Sequence, residues 1–147
     1  MNASDLYQAI IVDHAKSPRG CTIPSEVDAT ARGSNPLCGD RVDVGVRLRG
    51  DVIDDVGATA KACALCIAAG SIMTEMVRGN DADSVRSLAA RFAADIAPDA
   101  TETGEAQLGD LAAFRGIRKF PSRKQCALLP WDTLLDAMSR VQGGPTR

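Results

Sequence analysis

The sequence predicts an α+β domain, a small antiparallel three-stranded sheet packed against a set of helices. Three observations carry this. Residues 41–49 alternate strictly, with Val42, Val44, Val46 and Leu48 on one side and Arg41, Asp43, Arg47 and Arg49 on the other, the period of a half-buried strand. Helical periodicities precede and follow this region instead of alternating with strands, which separates the chain from parallel βαβ architectures. The 147 residues, 45% of them hydrophobic, suffice for one core, so a single domain over residues 1–147 is expected, with a frayed tail at about 143–147.

In chain order, Ser4 is placed to cap a first helix whose apolar stripe is Leu6, Tyr7, Ile10, Ile11 and His14, and Ser17-Pro18-Arg19-Gly20 ends it. A strand at residues 27–32 precedes the alternating one, Gly50-Asp51 turns the chain, and a third strand follows over residues 52–60. Residues 63–78 are apolar nearly all round, the pattern of a buried helix, ended by Gly79. Asn80 or Asp81 caps the next helix, which carries Val85, Leu88, Ala89, Phe92 and Ile96 on one stripe and ends near Pro98. Residues 98–106 read as a polar loop, 110–114 as a short helix closed by Gly116. The last helix is expected to start at Pro130, with Asp132 in its favourable first turn and Trp131, Leu134, Leu135, Met138 and Val141 on its apolar face.

Composition narrows the function. Aromatics are only 3%, and 17 basic against 19 acidic residues give a formal charge of -2 with no basic stripe; nucleic acid is not an expected partner. No apolar run approaches the ~20 residues that span a bilayer, and Asn2-Ala3-Ser4-Asp5 lacks the positive charge of a signal peptide, so no membrane association and a cytoplasmic location are expected. Five cysteines are then ligands or nucleophiles before they are disulfide partners.

Three of these cysteines lie at the edges of predicted elements: Cys38 in Asn35-Pro36-Leu37-Cys38-Gly39-Asp40, then Cys63 and Cys126. Gathered with Asp40, they offer three thiols and a carboxylate, a set that suits Zn2+ or an iron-sulfur cluster. Zinc with three thiolates and a carboxylate is a centre of net charge about -2 with no obvious open position for hydrolytic water, which argues against a hydrolase. It holds bound sulfur deprotonated, and Cys38, on a Pro-Gly loop, has the most freedom to act as nucleophile. Cys63 and Cys126 are expected at helix starts, where the dipole favours thiolate. Cys66 lies one helical turn from Cys63 and reads either as a fourth thiol near the site or as core filler; Cys21 and His14 are left out of the site.

These residues resemble the SufU/IscU family of iron-sulfur cluster assembly proteins over most of the chain. Leu6-Tyr7 through Asp13-His14 to Ser17-Pro18-Arg19 is similar to the family's amino-terminal helix, and the Asn35–Asp40 stretch to its first ligand motif. Ala62-Cys63 with Ile67-Ala68-Ala69 and Ser71-Ile72-Met73-Thr74 resembles the second motif, and the stretch from Phe120 to Cys126 the third. The SufU branch is the closer match: residues 92–120 resemble its extra stretch, and Gln125 stands where scaffold-type IscU proteins have His. Ala62 replaces a usual Gly, and Cys66 is an added thiol.

The resemblance implies a SufU/IscU-like fold and a zinc site of Cys38, Asp40, Cys63 and Cys126. It also implies a zinc-dependent sulfurtransferase whose partner is a SufS-type, PLP-dependent cysteine desulfurase. Cys38 would accept the persulfide sulfur, a desulfurase His could replace the released Cys, and a downstream sulfur or cluster acceptor would follow. The alternative within the family is a scaffold or carrier that assembles a labile cluster on the same cysteines. Arg123 matches a basic position near the last ligand.

Overall fold

The computed structural model describes residues 3–37, 39–100 and 108–142, with backbone alone for 3–7 and 142. Cys38, residues 101–107 of the expected polar loop and the expected frayed tail at 143–147 lie outside the described residues. Helix α1 (Ala3–Lys16) leads into a sheet of β1 (Ala29–Asn35), β2 (Asp40–Arg49) and β3 (Val52–Lys61); α2 (Ala64–Val77), α3 (Ala82–Asp95), a 3-10 helical run (Gly109–Lys119) and α4 (Pro121–Gln142) follow. The expected three-stranded antiparallel meander is present in the order β1-β2-β3.

The alternation of β2 explains why the sheet has an inside. Val42, Val44 and Val46 are buried beneath α4, and Val56 and Ile53 are buried on β3, the strand on which α2 packs, as a period of two demands. Gly50-Asp51 closes the β2–β3 hairpin between the paired residues Arg49 and Val52. The first strand lies later than residues 27–32, because its pairing runs from Ala29 opposite Val46 to Asn35 opposite Asp40, and the partner strand sets the register.

The far face of the sheet is crossed by the chain after α1. Gly45 and Gly57 are cross-strand partners, and a Cβ on Gly57 would stand 2.0 Å from the Thr22 carbonyl oxygen, one on Gly45 2.6 Å from Ile23. Two adjacent positions without side chains therefore make the groove in which residues 22–23 lie. Just before it, the Gly20 carbonyl accepts the Ala58 N–H at 2.8 Å, so the edge of β3 is covered.

Among the helices, α2 is the central one, with Ile72, Met73 and Val77 at most 1% exposed. Asp81 caps α3 by accepting the Ser84 N–H at 3.1 Å and the Ser84 hydroxyl at 2.6 Å; these bonds hold its carboxyl below its ordinary pKa. The few aromatics are concentrated: Phe92 meets Phe114 edge-to-face at 5.6 Å and Trp131 at 5.9 Å. Such pairs contribute about 0.5–1.5 kcal/mol each beyond their buried area, and here they tie α3, the 3-10 run and α4 together.

Three expectations are corrected. The helix expected at 110–114 is an 11-residue 3-10 run. Its Arg115 Nε and Arg118 Nη2 donate to the buried Asp95 carboxylate at 2.8 and 3.0 Å, contacts that extend it past Gly116. The last helix starts at Pro121, with Pro130 inside it. Both prolines can occupy a first helical position, but Cys126, Ala127, Leu128 and Trp131 are buried in succession, and that continuous packing outweighs the break at Pro130. Asp132 consequently sits mid-helix, and α1 starts at Ala3, taking Ser4 inside the helix instead of at its cap.

Candidate metal centre

The β1–β2 connection is a four-residue loop between the paired residues Asn35 and Asp40. Asn35 organises it: its Oδ1 accepts the Leu37 N–H at 3.1 Å and its carbonyl accepts the Gly39 N–H at 2.8 Å. Gly39 has φ of 76°, a left-handed conformation that lets the chain turn sharply one residue before Asp40. Cys38 itself lies outside the described residues, but both ends of its loop are fixed, and Leu37 beside it is 91% exposed.

Asp40 opens β2 and is 3% exposed. Its Oδ1 accepts the backbone N–H of Cys63 at 2.9 Å, and its Oδ2 stands 3.4 Å from Cys63 Sγ. Cys63 is the N-cap of α2, in extended conformation with no cap bond from its own side chain. The carboxylate of Asp40 thus satisfies an amide at the helix entrance, as N-terminal amides require, and turns its other oxygen to the thiol. Cys126, 7% exposed, comes from the second turn of α4; the expectation that it precedes that helix falls with the earlier helix start. Pro130 has no N–H to offer the carbonyl four residues back, that of Cys126, so the regular helical ladder is interrupted at this residue.

The donor atoms of Asp40, Cys63 and Cys126 all lie within 4.8 Å of one another. Around tetrahedral zinc, a sulfur at ~2.3 Å and an oxygen at ~2.0 Å stand about 3.5 Å apart and two sulfurs about 3.8 Å; the 3.4 Å between Cys63 Sγ and Asp40 Oδ2 fits without rearrangement. These three residues fit zinc, with Cys38 expected as the fourth donor from its loop.

Cys66 is not in this group. It is fully buried on the core side of α2, lining a cavity of about 220 Å³ with Val42, Ala58, Gly70 and Pro130. Of the two readings open for it, packing is the one its position supports. Cys21 is exposed at the same cavity. Arg123 is exposed on α4, three residues before Cys126. Sequence reasoning missed the organising role of Asn35, although Asn before Pro is a turn signal, and it did not foresee that Asp40 would bond the Cys63 amide, a contact between residues 23 apart.

Comparison with known proteins gives the family. The sequence matches the NifU-like N terminal domain family over residues 6–127, and the chain belongs to that family. It is 32% identical over 143 residues to the zinc-dependent sulfurtransferase SufU of Bacillus subtilis (strain 168), covering 97% of this chain and 96% of that protein. It is 30% identical to the iron-sulfur cluster assembly scaffold protein IscU of Streptococcus pyogenes serotype M1, covering 92% and 84% of the two chains. The fold is similar to the crystal structure of a nitrogen-fixing NifU-like protein (N-terminal) from Brucella abortus, with a TM-score of 0.86 at 26% identity, covering 95% of this chain and 96% of that one. No helix among the described residues is long and apolar enough to cross a membrane.

Proposed function

We propose that this chain serves iron-sulfur cluster assembly as a zinc-dependent sulfurtransferase, accepting sulfur on Cys38 from the persulfide of a SufS-type cysteine desulfurase. The observation that carries the reading is the convergence of Asp40, Cys63 and Cys126 within 4.8 Å, next to the loop in which Cys38 stands two residues before Asp40. The SufU-type relative supports zinc as the ion, held by Cys38, Asp40, Cys63 and Cys126. Bound there, zinc supplies a strong positive charge that keeps the thiols deprotonated at neutral pH.

The chain's residues do the rest. Asp40 ties the entrance of α2 to the start of β2, so Cys63 and the β2 end of the Cys38 loop keep a fixed relation. The Cys38 thiolate attacks the outer sulfur of the partner's persulfide; that S–S bond breaks, a new one forms on Cys38, and the partner's cysteine leaves as thiolate, with no net oxidation. Leu37 at 91% and Phe120 at 56% exposure present apolar side chains from the Cys38 loop and from the residue before α4, where a docking protein can cover them. The sulfur then passes to a downstream sulfur or cluster acceptor.

The test is to incubate the zinc-loaded chain with a SufS-type desulfurase and cysteine and map persulfides by mass spectrometry. A persulfide on Cys38 and a faster desulfurase are expected, with a folded but inactive Cys38→Ser variant; no modification of Cys38 and no rate change sink the reading. The similarity to an IscU scaffold favours cluster assembly on the same cysteines as a second reading. It predicts a coloured protein after anaerobic reconstitution with iron and sulfide that passes its cluster to an apo acceptor.

A further inference from the structure

Away from the thiol centre, the junction of α1, α2 and the 3-10 run assembles a second set of donors. His14, in the last turn of α1, is 4% exposed. Its Nδ1 lies 2.7 Å from Ser71 Oγ on α2, and its Nε2 faces Asp110 Oδ2 at 3.7 Å and Glu75 Oε1 at 3.9 Å, distances beyond hydrogen bonding. The imidazole is buried, whereas the two carboxylates are half exposed, at 55% and 51%. The result is a buried base under an open acidic rim.

Hydrogen bonding leaves Nε2 open in one of the two His14 tautomers. Ser71 Oγ accepts the Arg19 backbone N–H at 2.8 Å and has a second lone pair for a donor from His14 Nδ1. In the tautomer that donates from Nδ1 to Ser71, the Nε2 lone pair points at two carboxylates, and a cation bound between them would select that tautomer. The arrangement also matches metal-ligating histidines, which give their other N–H to an orienting acceptor. Charge agrees: Arg19 is paired with Asp13 at 2.8 Å and interacts electrostatically with Glu75 and Asp110. Three carboxylates against one guanidinium leave about two negative charges around the imidazole.

We propose that His14, Glu75 and Asp110 form a second cation site, built of nitrogen and oxygen, for a divalent ion of the Mn2+/Fe2+ class. Two donors each about 2.1 Å from one ion stand roughly 3.0–4.2 Å apart, a range that includes both distances from Nε2. The carboxylates stand farther from each other, since among the described residues only the thiol centre has all its donors within 4.8 Å; like charges separate, and both side chains are exposed enough to swing inward. An imidazole with carboxylates suits manganese or ferrous iron, whereas thiolates take zinc, so the two sites would sort their ions. This inference does not depend on the sulfur-transfer reading.

The test uses the full chain with its thiol centre first loaded with one equivalent of EPR-silent zinc. Mn2+ is then titrated, and the free-ion EPR signal and water-proton relaxation are followed. One further equivalent should bind, with water retained in the open positions. Asp110→Asn and Glu75→Gln, both at half-exposed positions that leave folding intact, should each weaken binding about tenfold or more, and His14→Gln should abolish it. Mn2+ bound equally well by Asp110→Asn and Glu75→Gln, or no Mn2+ bound at millimolar concentration, overturns the proposal.

Discussion

The backbone N–H of Cys63 donates to Oδ1 of Asp40 at 2.9 Å, while the sulfur of Cys63 stands 3.4 Å from Oδ2 of the same carboxylate. One side chain therefore supports a helix entrance and offers a metal donor, and two substitutions separate these roles. Asp40→Asn keeps an acceptor for the amide but loses the charge; Asp40→Ala loses both. Both should weaken zinc binding in chelator competition by about tenfold or more. Only Asp40→Ala should lower the urea stability of the metal-free protein, by roughly 1 kcal/mol for the lost buried hydrogen bond. Equal loss of metal-free stability in the two variants would contradict the dual role.

Cys63 and Cys66 lie one turn apart but in different surroundings. Cys63 faces Asp40 and Cys126; Cys66 is buried among Val42, Ala58 and Pro130. Cys63→Ala should abolish stoichiometric zinc binding. Cys66→Ala should retain one zinc per chain and lose about 1 kcal/mol of stability, the cost of a small deletion in the core. Metal analysis alongside thermal melts checks both, and a Cys66→Ala protein without zinc would move Cys66 into the centre.

These two cysteines also show where the sequence stops being legible. A spacing of three places Cys66 near Cys63 whichever way the helix is turned, and only the packing of α2 against the sheet sends one thiol to the site and the other to the core. Local signals were enough for β2, whose alternation is unbroken, for the two-residue hairpin at Gly50-Asp51, for the start of α2 at about Cys63, and for a cap of α3 at Asn80 or Asp81, of which the structure uses Asp81. The trio Asp40, Cys63 and Cys126 was legible because each stands in a distinct motif. The start of α4 was not, because Pro121 and Pro130 carry the same local signal and burial of the residues between them decides. The length of the 3-10 run was not either, because it depends on a carboxylate 20 and 23 residues away.

That carboxylate is Asp95, 5% exposed. It accepts from Arg115 at 2.8 Å and Arg118 at 3.0 Å, while Arg118 Nε also donates to the Asp95 carbonyl at 2.6 Å. Asp95→Ala removes the buried carboxylate that two largely buried guanidinium groups share, a loss of up to about 3–5 kcal/mol. Denaturant titration should show that loss, and hydrogen exchange should speed up first in the 3-10 run. A loss below about 1 kcal/mol would mean that the pair behaves as a surface ion pair.

Asp132 gives a pH prediction with a definite sign. Had α4 begun at Pro130, this carboxylate would sit in the first turn, where the helix dipole favours its charge. It lies instead in the middle of the helix, and burial pushes its pKa above the ordinary carboxyl value. The folded state then binds a proton more readily than the unfolded chain. At neutral pH the ionised form costs stability, and that cost disappears as pH falls through the raised folded-state pKa toward the ordinary value. Asp132→Asn should therefore be more stable than the parent near pH 7, by less than about 1 kcal/mol because solvent still screens much of the group. The advantage should shrink to nothing toward about pH 4. Thermal melts of the two proteins across that range read the difference directly; an advantage that grows on acidification would mean that the native carboxylate is stabilised where it lies.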